Sequence, residues 1–299
     1  MIHLDVIVCT YDREDILLEC IAALSDQIYD AREISYTITI VNNAPQALSE
    51  KVHQALSTYD HVHVIHEKKA GLSIARNTGI TFVNGDWLAF IDDDALVPDD
   101  YIRRIGDIIH EETWDCFGGH INSWWKYERP DWLHEEFGSK PKLSRHRIVL
   151  SDKYNWGSNI IIRRDCLIRV GKFPDKIGMK GKQLGYAAEN IVQDKLRDQG
   201  YTIGYDPQLY VDHLVLPQKL KLGWHIKSAY ATGRDGRSVF PDQYDWKGML
   251  VSAKNCISRP LKAVGFWLAN PKTHPKAIIL KILRPYSVLA GKLVSLTKS

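Results

Sequence analysis

Three adjacent carboxylates, Asp92-Asp93-Asp94, close the apolar run Trp87-Leu88-Ala89-Phe90-Ile91. Side by side, they would repel and lift one another's pKa unless a positive centre sits among them. A divalent cation such as Mg²⁺ or Mn²⁺, which prefers hard oxygen ligands, is a natural centre. Such an ion would also meet the phosphate oxygens of a substrate and offset charge building on a departing diphosphate. A solvated acidic turn capping the next helix would show the same three letters. A second segment, Ala70-Gly71-Leu72-Ser73-Ile74-Ala75-Arg76-Asn77-Thr78-Gly79, reads as a helix entered through Gly71. It would carry Arg76 to a phosphate or nucleoside, although an exposed Arg on a plain amphipathic helix fits equally.

The elements that must position these groups alternate. Residues 5–10 form a β-branched run ending in polar residues, the mark of a strand, and residues 12–24 carry Ile16, Leu17, Cys20, Ile21 and Leu24 at helical spacing. Residues 36–41 predict a second strand, halted by the turn signal Asn42-Asn43-Ala44-Pro45. A helix over 46–58, a strand over 62–65, a helix over 72–83, the strand 87–91 and a helix over 99–111 follow. This order predicts an α/β fold, a doubly wound, mostly parallel sheet with helices on both faces. Ligands of such sheets sit at the carboxyl ends of strands where the order reverses. Thr10-Tyr11, Asn42-Asn43 and Asp92 to Asp94 all lie at such ends, so the active site is expected there. Residues 112–150 read as irregular and aromatic, 159–162 as a strand, 189–199 as a helix, and 202–205 and 209–211 as closing strands. Beyond 217 the pattern is helical, broken by Pro241, Pro260, Pro271, Pro275 and Pro285.

Taken together, Val6-Ile7-Val8-Cys9-Thr10-Tyr11-Asp12-Arg13, Val41-Asn42-Asn43, Gly71 with Arg76-Asn77-Thr78-Gly79, and Phe90-Ile91-Asp92-Asp93-Asp94 resemble family 2 glycosyltransferases of the GT-A fold, over roughly residues 3–215. The resemblance implies that Thr10, Tyr11 and Arg13 line a nucleoside pocket, and that Asp92 and Asp94 form an Asp-x-Asp pair on metal and donor, with Asp93 and Arg76 beside the donor. Asn42-Asn43 stand where the family has an Asp contacting base or ribose, leaving the choice of base open. Gly157-Ser158-Asn159 looks like the acceptor-side strand, and Gly171-Lys172-Phe173 like the family's Gly-x-Phe turn. Val211-Asp212-His213 resembles the strand-ending His that completes the metal site. The family's Glu-Asp pair opening a helix corresponds to Ala188-Glu189 when counted back from Gly200-Tyr201. Glu189 is therefore the candidate base. A shift by one would put Asn190 there, whose amide cannot take a proton, and an acid at a helix start is also favoured by the helix dipole alone.

The implied reaction is inverting transfer of a sugar from a nucleoside-diphosphate sugar, a UDP-sugar before the others, to an acceptor hydroxyl in surface polysaccharide or glycolipid synthesis. The implied domains are a GT-A domain over 1–215, divided into a nucleotide-sugar half (1–111) and an acceptor half (112–215), and a helical, basic region over 216–299. Trp124, Trp125 and Trp132 could stack on acceptor sugars or fill a core. A sugar-phosphate nucleotidyltransferase would call for a Gly-rich loop that Thr10-Tyr11-Asp12-Arg13 lacks. A non-catalytic nucleotide-sugar-binding protein is the other alternative.

Composition bounds the rest. The 299 residues carry 39 Lys and Arg against 36 Asp and Glu, but the charge is split. Residues 246–299 hold ten Lys or Arg and no acid, which leaves 29 basic against 36 acidic residues in the first 245. Interspersed apolar clusters make this stretch either a peripheral contact for an anionic membrane carrying a lipid-linked saccharide, or a solvated helical cap. It shows no motif that reads nucleic acid. Five scattered cysteines suggest neither a disulfide framework nor a zinc site. With a strand starting at the N-terminus and no apolar run long enough to span a bilayer, a cytoplasmic location, peripheral to the membrane at most, is expected.

Overall fold

A computed structural model describes residues 1–297. The strands are β1 (Ile2–Thr10), β2 (Ile34–Asn42), β3 (Val62–His66), β4 (Trp87–Asp92), β5 (Ala95–Leu96), β6 (Cys116–Trp124), β7 (Ile148–Val149), β8 (Asn159–Arg163) and β9 (Ile203–Leu214). The helices are α1 (Glu14–Ser25), α2 (Glu50–Leu56), α3 (Leu72–Phe82), α4 (Tyr101–Glu111), α5 (Arg164–Arg169), α6 (Ala188–Asp198), α7 (Leu222–Asp235), α8 (Trp246–Ala269) and α9 (Pro275–Thr297). Two compact units result. Met1–Trp124, Gly138–Lys176 and Ala188–Leu214 form the first; Trp125–Phe137, Ile177–Ala187 and the chain from Val215 onward form the second. Two stretches that lie within residues 1–215 of the sequence thus pack with the C-terminal helices.

In the first unit one sheet runs β3-β2-β1-β4-β8-β6-β9-β5, with β7 paired to β9. Strands β1, β2, β3 and β4 lie parallel; β4, apolar up to its final Asp92, is buried on both faces, whereas the edge strand β3 is only partly buried. β8 is antiparallel to β4 and to β6, and β6 is parallel to β9. Alternation sorts the side chains of β1. Leu4, Val6 and Val8 join Leu17, Ile21 and Leu24 of α1 and Ile102 and Ile105 of α4 in the main core, while Ile7 faces Gly79 of α3 on the other side. The order reverses between β1 and β4, and both strands end there in polar residues.

Three expectations need correction. Residues 112–150 are not irregular throughout, because β6 crosses the sheet there. Its Gly118-Gly119 pair hides the strand pattern, yet a Cβ on Gly119 would run into the carbonyl of Leu209. The two short closing strands are one, β9, whose register on β6 jumps from Gly119↔Asp206 to Ile121↔Val211, so that 207–210, including Pro207, bulge out. Pro260 and Pro285 lie inside continuous helices, α8 and α9, instead of ending them.

Candidate active site

The carboxyl ends of β1 and β4 stand in register, Cys9 opposite Asp92. From there the three acids diverge. Asp93 is 0% exposed; it accepts a 2.6 Å hydrogen bond from the Thr10 hydroxyl and lies 2.5 Å from the Arg13 guanidinium. Burial, with Asp94 adding to it and Arg13 opposing, pushes its pKa up to about 7. A carboxylate so enclosed cannot reach a donor. Asp93 and the Thr10 hydroxyl thus bond to each other and lie against Arg13, buried, where the resemblance implies a donor contact.

Asp92 and Asp94 turn the other way. A short antiparallel pairing of β5 with β9 sets Ala95 opposite His213, with the Leu214 amide donating to the Asp94 carbonyl at 2.8 Å. This brings His213 Nε2 to 3.2 Å from Asp94 and 3.6 Å from Asp92. The ligand atoms of Asp92, Asp94 and His213 all lie within 4.8 Å of one another. Two carboxylate oxygens and one imidazole nitrogen suit Mn²⁺ or Mg²⁺ better than a thiophilic metal. The second oxygen of Asp94 accepts from Arg13 at 2.8 Å, which fixes its rotamer. Burial would raise the pKa of Asp92, but His213, Arg76 and Arg13 outweigh it and hold the group below the usual carboxylate range.

Arg76 extends the site. Carried by α3 and almost fully buried, it reaches Asp92 at 3.4 Å and donates to the Gly157 carbonyl at 2.8 Å. Its guanidinium lies 5.2 Å from the Phe173 ring centroid and 5.8 Å from that of Phe90, a cation–π seat. The next residue, Asn77, holds the turn that delivers Phe173. It donates to the Phe173 carbonyl and to Asp175, and accepts from the Phe173 amide. Nothing in the two motifs as sequences shows that Asn77 clamps the Gly-x-Phe turn; only the folded chain brings them together. Glu189, half-buried at the start of α6, completes the group. A Cβ on Gly157 would lie 3.3 Å from its carboxyl carbon and 3.2 Å from Arg76 Nη2, so both groups border the same point. Glycine is what lets them approach. The preceding Ala187 has φ 83°, a left-handed conformation unusual for alanine and a local strain at the entry to α6.

The remaining expected residues fall into four groups. Tyr11 is half-exposed beside Asp12, whose φ of 59° makes the turn out of β1. Asn42 and Asn43 hold loops. Asn43 donates to the Glu67 and Lys69 carbonyls and accepts from the Gly71 amide, leaving no N–H for a nucleobase; Asn42 donates to the Gln46 carbonyl and accepts from the Ala44 amide. Asn159 is buried, bonded to the Tyr101 hydroxyl and to the carbonyls of His120 and Leu209, which ties three strands together; Ser158 is also buried. Trp124 is half-buried at the end of β6. Trp125 belongs to the second unit and donates to the Glu135 carbonyl, while Trp132 packs edge-on against His225 in that unit's core.

A carboxylate pair and a His at the switch point of such a sheet, with a buried Arg alongside, is the arrangement that the first-strand and Asp-x-Asp motifs imply. Residues 5–171, more than half of the chain, match the family described as Glycosyl transferase family 2. The chain belongs to that family. The glycosyltransferase is 28% identical over 244 residues to the glucosyl-dolichyl phosphate glucuronosyltransferase of Haloferax volcanii, covering 78% of this chain and 75% of that one. It is 25% identical over 292 residues to glycosyltransferase AglE of the same organism, covering 93% and 89%. Among solved structures, mannosyltransferase PcManGT from Pyrobaculum calidifontis, in complex with GDP-Man and Mn²⁺, superposes with a TM-score of 0.61 at 16% identity over 99% of this chain and 88% of that one. The fold is GT-A.

Proposed function

We propose that this family 2 glycosyltransferase is an inverting, metal-dependent enzyme that moves a sugar from a nucleoside-diphosphate sugar to an acceptor hydroxyl. One observation supports it above others: the Asp92, Asp94 and His213 ligand atoms cluster within 4.8 Å, while Glu189 borders the Arg76 guanidinium that touches Asp92. A divalent ion held by those three ligands would offset the charge of the leaving diphosphate. Arg76 helps hold Asp92 below the usual carboxylate range, and Arg13 aims Asp94. Glu189 takes the acceptor proton as the hydroxyl attacks the anomeric carbon from the face opposite the diphosphate, so configuration inverts. Such general-base help is worth roughly 10²–10⁴-fold.

The acceptor is proposed to be a saccharide or a lipid-linked saccharide, in surface polysaccharide or glycolipid synthesis. This follows the printed names of relatives: the glucuronosyltransferase above, which acts on glucosyl-dolichyl phosphate, and a succinoglycan biosynthesis protein of Rhizobium meliloti at 26% identity. Because Asn43 has no free N–H, the base is read by other groups, and both UDP- and GDP-sugars belong in the test. The protein, Mn²⁺, a panel of nucleotide sugars and polyprenyl-phosphate-linked or free saccharides are incubated together, and nucleoside diphosphate release is followed alongside the product's anomeric configuration by NMR. Transfer with inversion is expected. Retention would overturn the mechanism, and binding without turnover would make the protein a nucleotide-sugar-binding protein instead.

A further inference from the structure

The second unit is built with its large apolar side chains outward. In α8 the face turned into the unit carries small residues, Ser252, Cys256 and Ala263. Leu250, Ile257, Leu261, Val264 and Leu268 instead point to solvent and are between 42% and 72% exposed. At 3.6 residues per turn these five positions fall on one stripe, on the side of the helix away from the buried residues. In α9, Ile279, Leu283, Tyr286 and Leu293 repeat the pattern, between 40% and 51% exposed, while Ile278, Pro285 and Ser295 are buried. An ordinary surface helix shows the reverse arrangement. Apolar surface of this extent marks a site that something covers.

Charge selects what covers it. Of the ten cations after Asp245, Lys292 is turned inward, donating to the Gln243 carbonyl and the Ser252 hydroxyl, and Lys298 lies outside the described residues. The other eight, Lys247, Lys254, Arg259, Lys262, Lys272, Lys276, Lys281 and Arg284, are all exposed. Lys247 and Lys254 flank the α8 stripe, and no acid follows Asp245. A second copy of this surface would bring like charges face to face. An anionic lipid surface offers apolar chains to the stripes and phosphates to the lysines. No helix among the described residues is long and apolar enough to cross a membrane, so the contact would lie in the plane of one leaflet.

We propose that α8 and α9 seat the enzyme on an anionic membrane surface, the stripes entering the headgroup region and the flanking cations pairing with lipid phosphates. Nothing in this rests on the carboxylate cluster, and binding is scored without donor or acceptor, so its failure leaves the transferase reading standing. The test is flotation of the full chain with vesicles of phosphatidylcholine alone or with roughly a third phosphatidylglycerol. The wild type is expected to float with the anionic vesicles and not the neutral ones, and to be released by high salt. I257E/L261E and, separately, K247E/K254E should each lower vesicle partitioning about tenfold or more. Both lysines of the second pair are exposed, with Lys247 resting only on the exposed Trp246 ring, so this pair guards against a folding defect in the first. A wild type that stays with the soluble fraction, or variants that float as well as it does, would overturn the proposal. So would a dimer on size exclusion that I257E/L261E dissociates while vesicles bind nothing, since the stripe would then cover a second copy.

Discussion

Asp93 and Glu189 are both carboxylates of one site, and their surroundings give them different work. Asp93 sits at zero exposure between Thr10 and Arg13, where it fixes the end of β1 against the end of β4. Glu189 is half-exposed beside Arg76 and Gly157. On the proposed mechanism, environment and not residue type divides the positioning group from the base. Glu189→Gln keeps the shape and removes the basicity. Transfer should fall by about 100-fold or more, while donor affinity measured by calorimetry stays close to wild type. Loss of both in equal measure would mean that Glu189 holds the donor and does not serve as the base.

At the scale of elements, the first four strands and the helices between them were legible from short β-branched or apolar runs alternating with helical spacing, most clearly in β4, which is apolar and buried up to Asp92. The acids at the end of β4 were legible for the same reason, as polar letters at the edge of an apolar run. β6 was not, since Gly118 and Gly119 serve close approaches of β8 and β9 that leave no hydrophobic trace. Asn42-Asn43 misled for a related reason. An amide at a strand end looks like a ligand contact, and only coordinates show Asn43 stitching the end of β2 to the loop that enters α3. This stitching is testable. Asn43→Ala deletes three hydrogen bonds in a buried setting, stranding the Glu67 and Lys69 carbonyls and the Gly71 amide. It should cost about 2–3 kcal/mol, read as a lowered midpoint in urea with an unchanged slope. A loss under about 0.5 kcal/mol would show that water replaces the amide there.

Across the whole molecule, charge and site are divided between the units. The acids that would hold a metal, and the arginines that balance them, all come from the first unit, whereas the cations after Asp245 belong to the second. A nucleotide sugar should therefore find its affinity in the metal cluster and not in the general basic charge. The two sources can be separated by heat. A ligand at 100 times its dissociation constant stabilises by about 2.7 kcal/mol, enough to raise the melting temperature by roughly 5 °C in a chain of this size. With Mn²⁺, one nucleotide series of UDP-, GDP-, dTDP- and CMP-sugars should produce that rise in the wild type, and chelation should erase it. Asp94→Ala should show no rise with any donor, because it removes one of the three clustered ligands and one of the two acids paired with Arg13 together. If the shift survived chelation and Asp94→Ala but vanished in high salt, the donor would be held by diffuse positive charge, and the cluster of Asp92, Asp94 and His213 would lose its place as the donor's anchor.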